Sequence, residues 1–263
     1  MAIARYRILV VFAFSSLGAL GNGSPGPTDT RFQYFVQQYL MTSGNSASWE
    51  GLAEFAEKMD TKRLSLNNDY SFLRTLYARV HSKFLKQYAS YTSFADLLSE
   101  GRYDCLTGVA IYALLLDRYK YDYQIIETNY HIFLMVSTRR GPVLLEATDP
   151  LDGFVIGKEA IEQHISMYRT REQDPQGKSN GTPYTFTFDL FRTVTLPEIT
   201  GLLYFNLAVD AFNRGQIETS QALIQAASTY YQSERIEEFS RIIRKVSRAS
   251  ISSAAERFFD TGG

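Results

Sequence analysis

The sequence predicts an α+β fold: a helix-borne cysteine packed on a small antiparallel sheet, with helices before it and a helical hairpin after it. Three observations carry this expectation. Apolar residues recur at helical spacing through residue 98, the period shortens to two between residues 123 and 148, and it lengthens again from Pro197 onward. With 263 residues, a hydrophobic fraction of 45% and a charged fraction of 21%, the chain can bury one sizeable core and a smaller appended piece.

The helices come first. Phe32, Phe35, Val36 and Leu40 share one face of a helix within residues 31–60, and Ser48, Glu50, Leu52, Phe55 and Met59 mark a second in the same stretch. Phe72, Leu73, Leu76, Val80, Phe84 and Leu85 extend the helical period over 69–98. His81 lies on that stretch with no acid at ligand spacing, so it is read as structural. Gly101 punctuates a loop. Asp104 is placed to cap the next helix, which starts at Cys105 and runs to about Tyr119. That helix is apolar almost all round (Val109, Ala110, Ile111, Leu114, Leu115), which marks it as the central buried one.

The strands follow. Tyr123–Thr128, His131–Ser137 and Pro142–Thr148 alternate, with the segment TRRG forming a hairpin turn between the last two. Residues 158–169 form a short helix carrying His164, residues 172–183 a polar loop with a glycosylation-type triplet at Asn180, and Tyr184–Phe188 one more strand. Beyond Pro197, Leu203, Tyr204, Leu207, Ala208, Ala211, Gly215, Ile217, Ile224 and Ala227 resemble one tetratricopeptide repeat over residues 197–250, with Gly215 at its turn. Ser220 replaces a usual Ala and the closing Pro is missing. A single repeat cannot bury its own face, so this tail is expected to pack on the main domain and to offer a surface for a protein partner.

The N-terminus has the pattern of an export signal over residues 1–21. Arg5 and Arg7 precede an apolar run from Ile8 to Leu20, followed by the small residues and turn formers of GNGSPGPTDT. The run is shorter than the roughly 20 residues of a membrane span. The mature chain is therefore expected to be secreted or periplasmic without a stable membrane span; the alternative is an uncleaved anchor. A net charge of −1 argues against nucleic acid as a partner. The basic cluster Arg241–Arg248 reads as a solvated helix face. Neither a phosphate-cradling glycine loop nor a histidine pair at metal spacing occurs, so no cofactor or metal is expected.

Cys105 is the single cysteine, which excludes an intrachain disulfide and a cysteine-based zinc site. A thiol kept in an exported chain is exposed to oxidation, which favours a chemical use for it. The first turn of a helix presents unpaired N–H groups and a partial positive charge, which favour a thiolate. His131 opens the strand after the Cys105 helix and can exchange a proton with the thiol. An acid beside it would fix the imidazole tautomer. Two qualify: Glu146 stands opposite His131 if the hairpin centres near Thr138, and Asp149 does if it centres near Arg140.

In this order and setting, Tyr103-Asp104-Cys105, then His131-Ile132-Phe133-Leu134, then Leu145-Glu146-Ala147-Thr148, the chain resembles the transglutaminase-like superfamily. The likeness is carried by residues 70–155 and places a transglutaminase-like domain at 28–195. It implies a papain-like core and acyl transfer on an amide: peptide or amide hydrolysis, or transamidation, of a peptide or protein substrate. It implies Cys105 as nucleophile, His131 as acid–base and Glu146 or Asp149 as the orienting acid, with the Cys105 N–H as first oxyanion donor. The family usually has Asp where Glu146 stands, and Trp is commoner at the position of Phe133. The competing expectation is a non-catalytic module that uses the same cleft to bind a peptide or protein.

Overall fold

The computed structural model describes residues 27–44, 47–66, 68–129, 131–172 and 191–260. The expected signal segment, the Asn180 triplet and the Tyr184–Phe188 strand lie outside them. The elements in chain order are α1 (Pro27–Met41), α2 (Glu50–Ser65), α3 (Asp69–Lys83), β1 (Gln87–Tyr88), α4 (Phe94–Glu100), β2 (Arg102–Tyr103) and α5 (Cys105–Arg118). There follow β3 (Tyr123–Thr128), β4 (Ile132–Thr138), β5 (Gly141–Leu145), β6 (Phe154–Ile156), α6 (Lys158–Glu172), β7 (Phe191–Val194), α7 (Leu196–Asn213), α8 (Ile217–Tyr230) and α9 (Glu234–Asp260). The fold is mixed α+β, and its larger sheet is antiparallel in the order β6-β5-β4-β3-β7.

α5 is the centre of the molecule because its sequence leaves it no polar side. Every residue from Leu106 to Leu116 is buried. Each fully buried Leu, Ile or Val contributes about 1.5–3 kcal/mol relative to exposure. Period two along β4 then divides the sheet into two faces. Ile132, Leu134 and Val136 join the main core around α5. Phe133 turns the other way and packs with Leu144 and with Ile161 of α6. The sheet is thus held between α5 on one face and α6 on the other.

The structure departs from the sequence reading at four places. The helical stretch 69–98 is broken into α3 and α4, because Tyr91 takes a left-handed φ of 59° and Ser93 starts a new helix. Ser93 accepts from the Asp96 N–H at 3.1 Å while Asp96 accepts from the Ser93 N–H at 3.3 Å, a reciprocal cap that outweighs the apolar period. The segment between the two helices pairs as β1 with β2. Strands β6 and β7 are too short to show a period. The tail holds three helices in place of a hairpin: α7 and α8 turn at Gly215, and α9 follows and runs past residue 250.

The tail is built into the body. The Tyr39 hydroxyl of α1 donates to the Leu196 carbonyl at the start of α7, at 3.0 Å. Arg235 of α9 pairs with the buried Glu127 of β3 at 3.0 Å and donates to the carbonyls of Thr128 and Asn129 at 3.0 and 2.9 Å. The Tyr231 hydroxyl donates to the other Glu127 oxygen.

Candidate active site

Cys105 is the first residue of α5, and two features fix its position. Asp104 caps the helix: its Oδ1 accepts from the Thr107 N–H at 2.8 Å, and its own N–H donates to Thr107 Oγ1 at 2.9 Å. Its Oδ2 accepts from Asn206 Nδ2 of α7 at 3.2 Å, so the cap is tied to the tail. Burial pushes the Asp104 carboxyl up, against the hydrogen bonds from Thr107, Thr92 and Asn206. One turn on, Gly108 meets the residue after Glu146: a Cβ there would stand 2.7 Å from the Ala147 Cβ. The absent side chain lets the tip of α5 press against the end of β5.

His131 stands immediately before β4, where a tight turn fixes it. Its N–H donates to Thr128 Oγ1 at 3.1 Å and its carbonyl accepts from the Thr128 N–H at 2.8 Å. The ring is hydrogen-bonded through Nε2 to Glu146 Oε2, and it lines the same cleft as Cys105. With Nε2 engaged, Nδ1 is the nitrogen left for the thiol. The pair is shielded, the His131 side chain being 17% exposed and that of Glu146 4%.

The choice of acid follows from the register. Leu134 pairs with Leu145 and Thr138 with Gly141, so the hairpin centres between Arg139 and Arg140, at neither expected point. Continued beyond the ladder, this register sets Phe133 opposite Glu146 and makes Glu146 a diagonal neighbour of His131 on the same face. Diagonal partners stand roughly 7–8 Å apart, a gap the longer Glu side chain spans. Asp149 is not brought to the ring. Its Oδ1 accepts from the N–H groups of Leu151 and Asp152 at 3.2 and 2.9 Å, which makes it a turn former.

Glu146 is held on every side. Oε1 accepts from the Thr148 N–H at 2.9 Å and from Thr148 Oγ1 at 2.6 Å. Oε2 accepts from the Tyr168 hydroxyl of α6 at 2.5 Å as well as from His131. Since that hydroxyl donates to the carboxylate, His164 Nε2 at 3.0 Å is the donor to the Tyr168 oxygen. The Tyr168 ring stacks on His131 with centroids 5.0 Å apart. Behind the site, the Tyr77 hydroxyl lies 2.8 Å from the Glu146 carbonyl and 2.5 Å from that of Asp149. Gly153 completes this turn, because a Cβ there would fall 2.3 Å from the Tyr77 hydroxyl. His81, which burial keeps below its ordinary value, donates from Nε2 to the Ala147 carbonyl at 3.0 Å, and the Tyr112 hydroxyl lies 2.7 Å from its Nδ1.

Charge state follows from these contacts. Burial alone would depress His131; hydrogen bonds and charge from Cys105 and Glu146 override it and raise the ring from 6.5 to about 10. For Glu146, burial opposes the negative charge, but His131, Thr148 and Tyr168 lower it from 4.5 to about 2. His131 therefore holds its proton through neutral pH and Glu146 stays ionised.

Cys105 and His131 open onto a cleft of about 430 Å³ whose far wall is formed by α7 and α9. Among the described residues no three His, Cys, Asp or Glu side chains gather as a metal site, and no helix is long and apolar enough to cross a membrane. Sequence reasoning missed Tyr168 and Thr148. Their only signals were the i, i+4 spacing of His164 and Tyr168 and a hydroxyl two residues after the acid. Compared with known proteins, the chain matches no family model, no curated protein and no solved structure.

Proposed function

We propose that this chain is an exported transglutaminase-like cysteine enzyme with a papain-like core, which transfers the acyl group of a peptide or protein amide to water or to an amine. The observation that carries the reading is a single ring: His131 is hydrogen-bonded to the buried Glu146 and lines the same cleft as Cys105, whose side chain helps to raise it. A nucleophile, an acid–base and an orienting carboxylate in that order form the working unit of acyl transfer. The export pattern of residues 1–21 supports a secreted or periplasmic site of action.

In this reading the Cys105 sulfur attacks the amide carbonyl. The developing oxyanion is met by the Cys105 N–H, one of the groups that a helix start cannot pair internally. The C–N bond breaks as His131 passes its Nδ1 proton to the departing amine, leaving a thioester. Water or a second amine then attacks; His131 takes back a proton and the thiolate departs. Glu146 stays ionised throughout and balances the imidazolium.

The test is alkylation of Cys105 by iodoacetamide, followed by mass spectrometry. At pH 7 the folded protein is expected to react at least tenfold faster than its own His131→Ala variant, and Cys105→Ala is expected to take no label at all. Equal rates for wild type and His131→Ala would remove the nucleophile and leave the cleft as a binding module for a peptide or protein.

A further inference from the structure

The cleft in front of Cys105 has a character that the chemistry at its floor does not require. Its outer wall belongs to the tail. Leu202, Phe205, Val209 and Phe212 follow one another at spacings of three and four along α7, which sets them on one stripe of that helix. Phe239 and Ile242 continue the wall from α9. Phe239 stands edge-on to both Phe205 and Phe212, with centroids 5.6 and 5.4 Å apart, so the three rings form one apolar surface. At one end the cleft is lined by Tyr91, held in its left-handed conformation, and by Asn213 of α7.

The charges in the cleft are already spent. Arg235 is committed to Glu127 and to the Thr128 and Asn129 carbonyls, and its guanidinium lies over the Phe205 ring at 5.8 Å. An anionic or cationic group entering here would find its counter-charge occupied, whereas an uncharged apolar group would exchange water for the aromatic wall. The volume falls within the about 300–1,000 Å³ of small-molecule sites.

We infer that the cleft is an acyl-group pocket, and that the amides this site prefers carry a neutral apolar chain or ring on the carbonyl side of the scissile bond. The inference rests on the acyl-transfer reading above. The acyl side is assigned because the thioester keeps that half of the substrate attached to Cys105 while the amine departs, so a cleft that reaches the sulfur serves the half that stays. The same surface can be filled by an aliphatic acyl chain or by the apolar side chain of a peptide residue.

Two series of p-nitroanilides distinguish these sources: straight-chain acyl anilides from acetyl to decanoyl, and acetyl-Ala, acetyl-Leu and acetyl-Phe anilides. Turnover is measured with the full chain, and binding of the same compounds is measured by calorimetry with Cys105→Ala. The expected result is a rise in kcat/KM of up to about fourfold per added methylene until the cleft is filled, with Kd falling in the same order. The series with the steeper rise identifies the natural occupant. Val209→Trp, which fills the cleft, is expected to shrink the decanoyl-to-acetyl ratio at least tenfold; Val209→Ala, the gentler variant, should shift the optimum to longer chains. Flat dependence in both turnover and binding, with Cys105 still alkylated by iodoacetamide, would overturn the pocket and leave the enzyme reading standing. So would selectivity that follows the size of the amine. Chain-length-dependent binding in a protein whose Cys105 takes no label would uphold the pocket and remove the nucleophile.

Discussion

Four donors converge on the Glu146 carboxylate: His131 and Tyr168 on one oxygen, and the N–H and hydroxyl of Thr148 on the other. Together they make the side chain a fixed anion and His131 its cation, and a consequence for stability follows. The folded His131 value of about 10 lies above the ordinary 6.5, so its contribution is fully present below pH 6.5 and fades as pH rises through 10. The folded Glu146 value of about 2 lies below 4.5, so its contribution is present above pH 4.5 and fades as pH falls through 2. Glu146→Gln is therefore expected to be least stable relative to wild type between pH 4.5 and 6.5. The deficit there should be of the order of 3 kcal/mol, shrinking toward both extremes. Urea titrations at pH 3, 5.5 and 9.5 measure it, and a deficit that ignores pH would count against the ion pair. At this scale the type and order of Cys105, His131 and an acid could be read from the residues alone. Which acid could not, because the answer turns on a register centred between two arginines. Tyr168 was hidden because its contact crosses from a helix onto a sheet.

Among the elements, α5 and the end of β5 set the working distance. The tip of α5 is placed by its Asp104 cap and by the close approach of Gly108 to Ala147. Gly108→Val would push the helix tip away from the strand end that carries Glu146. The expected cost is about 1–3 kcal/mol from overpacking, together with a several-fold slower alkylation of Cys105 at pH 7. A destabilised variant that reacts at the wild-type rate would show that helix and strand need not touch there. The long elements were legible: α5 by its unbroken apolar run, β3 to β5 by their alternation. The break at Tyr91 and the short strands β6 and β7 were not, since a local cap and pairing across the sheet decide them.

At the scale of the whole molecule, the tail is joined to the sheet by a buried charge pair. Arg235→Met strands Glu127, which is 2% exposed, and is expected to cost about 3–5 kcal/mol. Adding Glu127→Gln should return much of that loss, because the uncompensated charge is then gone. Thermal unfolding of the two single variants and the double variant tests this, and additive losses would mean that the pair is not coupled. The sequence suggested a tail resting on the body; that α7 and α9 also wall the cleft depended on three-dimensional packing that no period encodes.

This architecture has a consequence for the order of events in the life of the chain. The sulfur is synthesised well before the helices that wall the space in front of it. A nascent polypeptide thus carries Cys105 before the α7 and α9 residues that line its cleft. On the acyl-pocket proposal, selectivity for what enters would arrive only with α7 and α9, and a chain cut short after β7 would keep Cys105, His131 and Glu146 while losing that wall of the cleft.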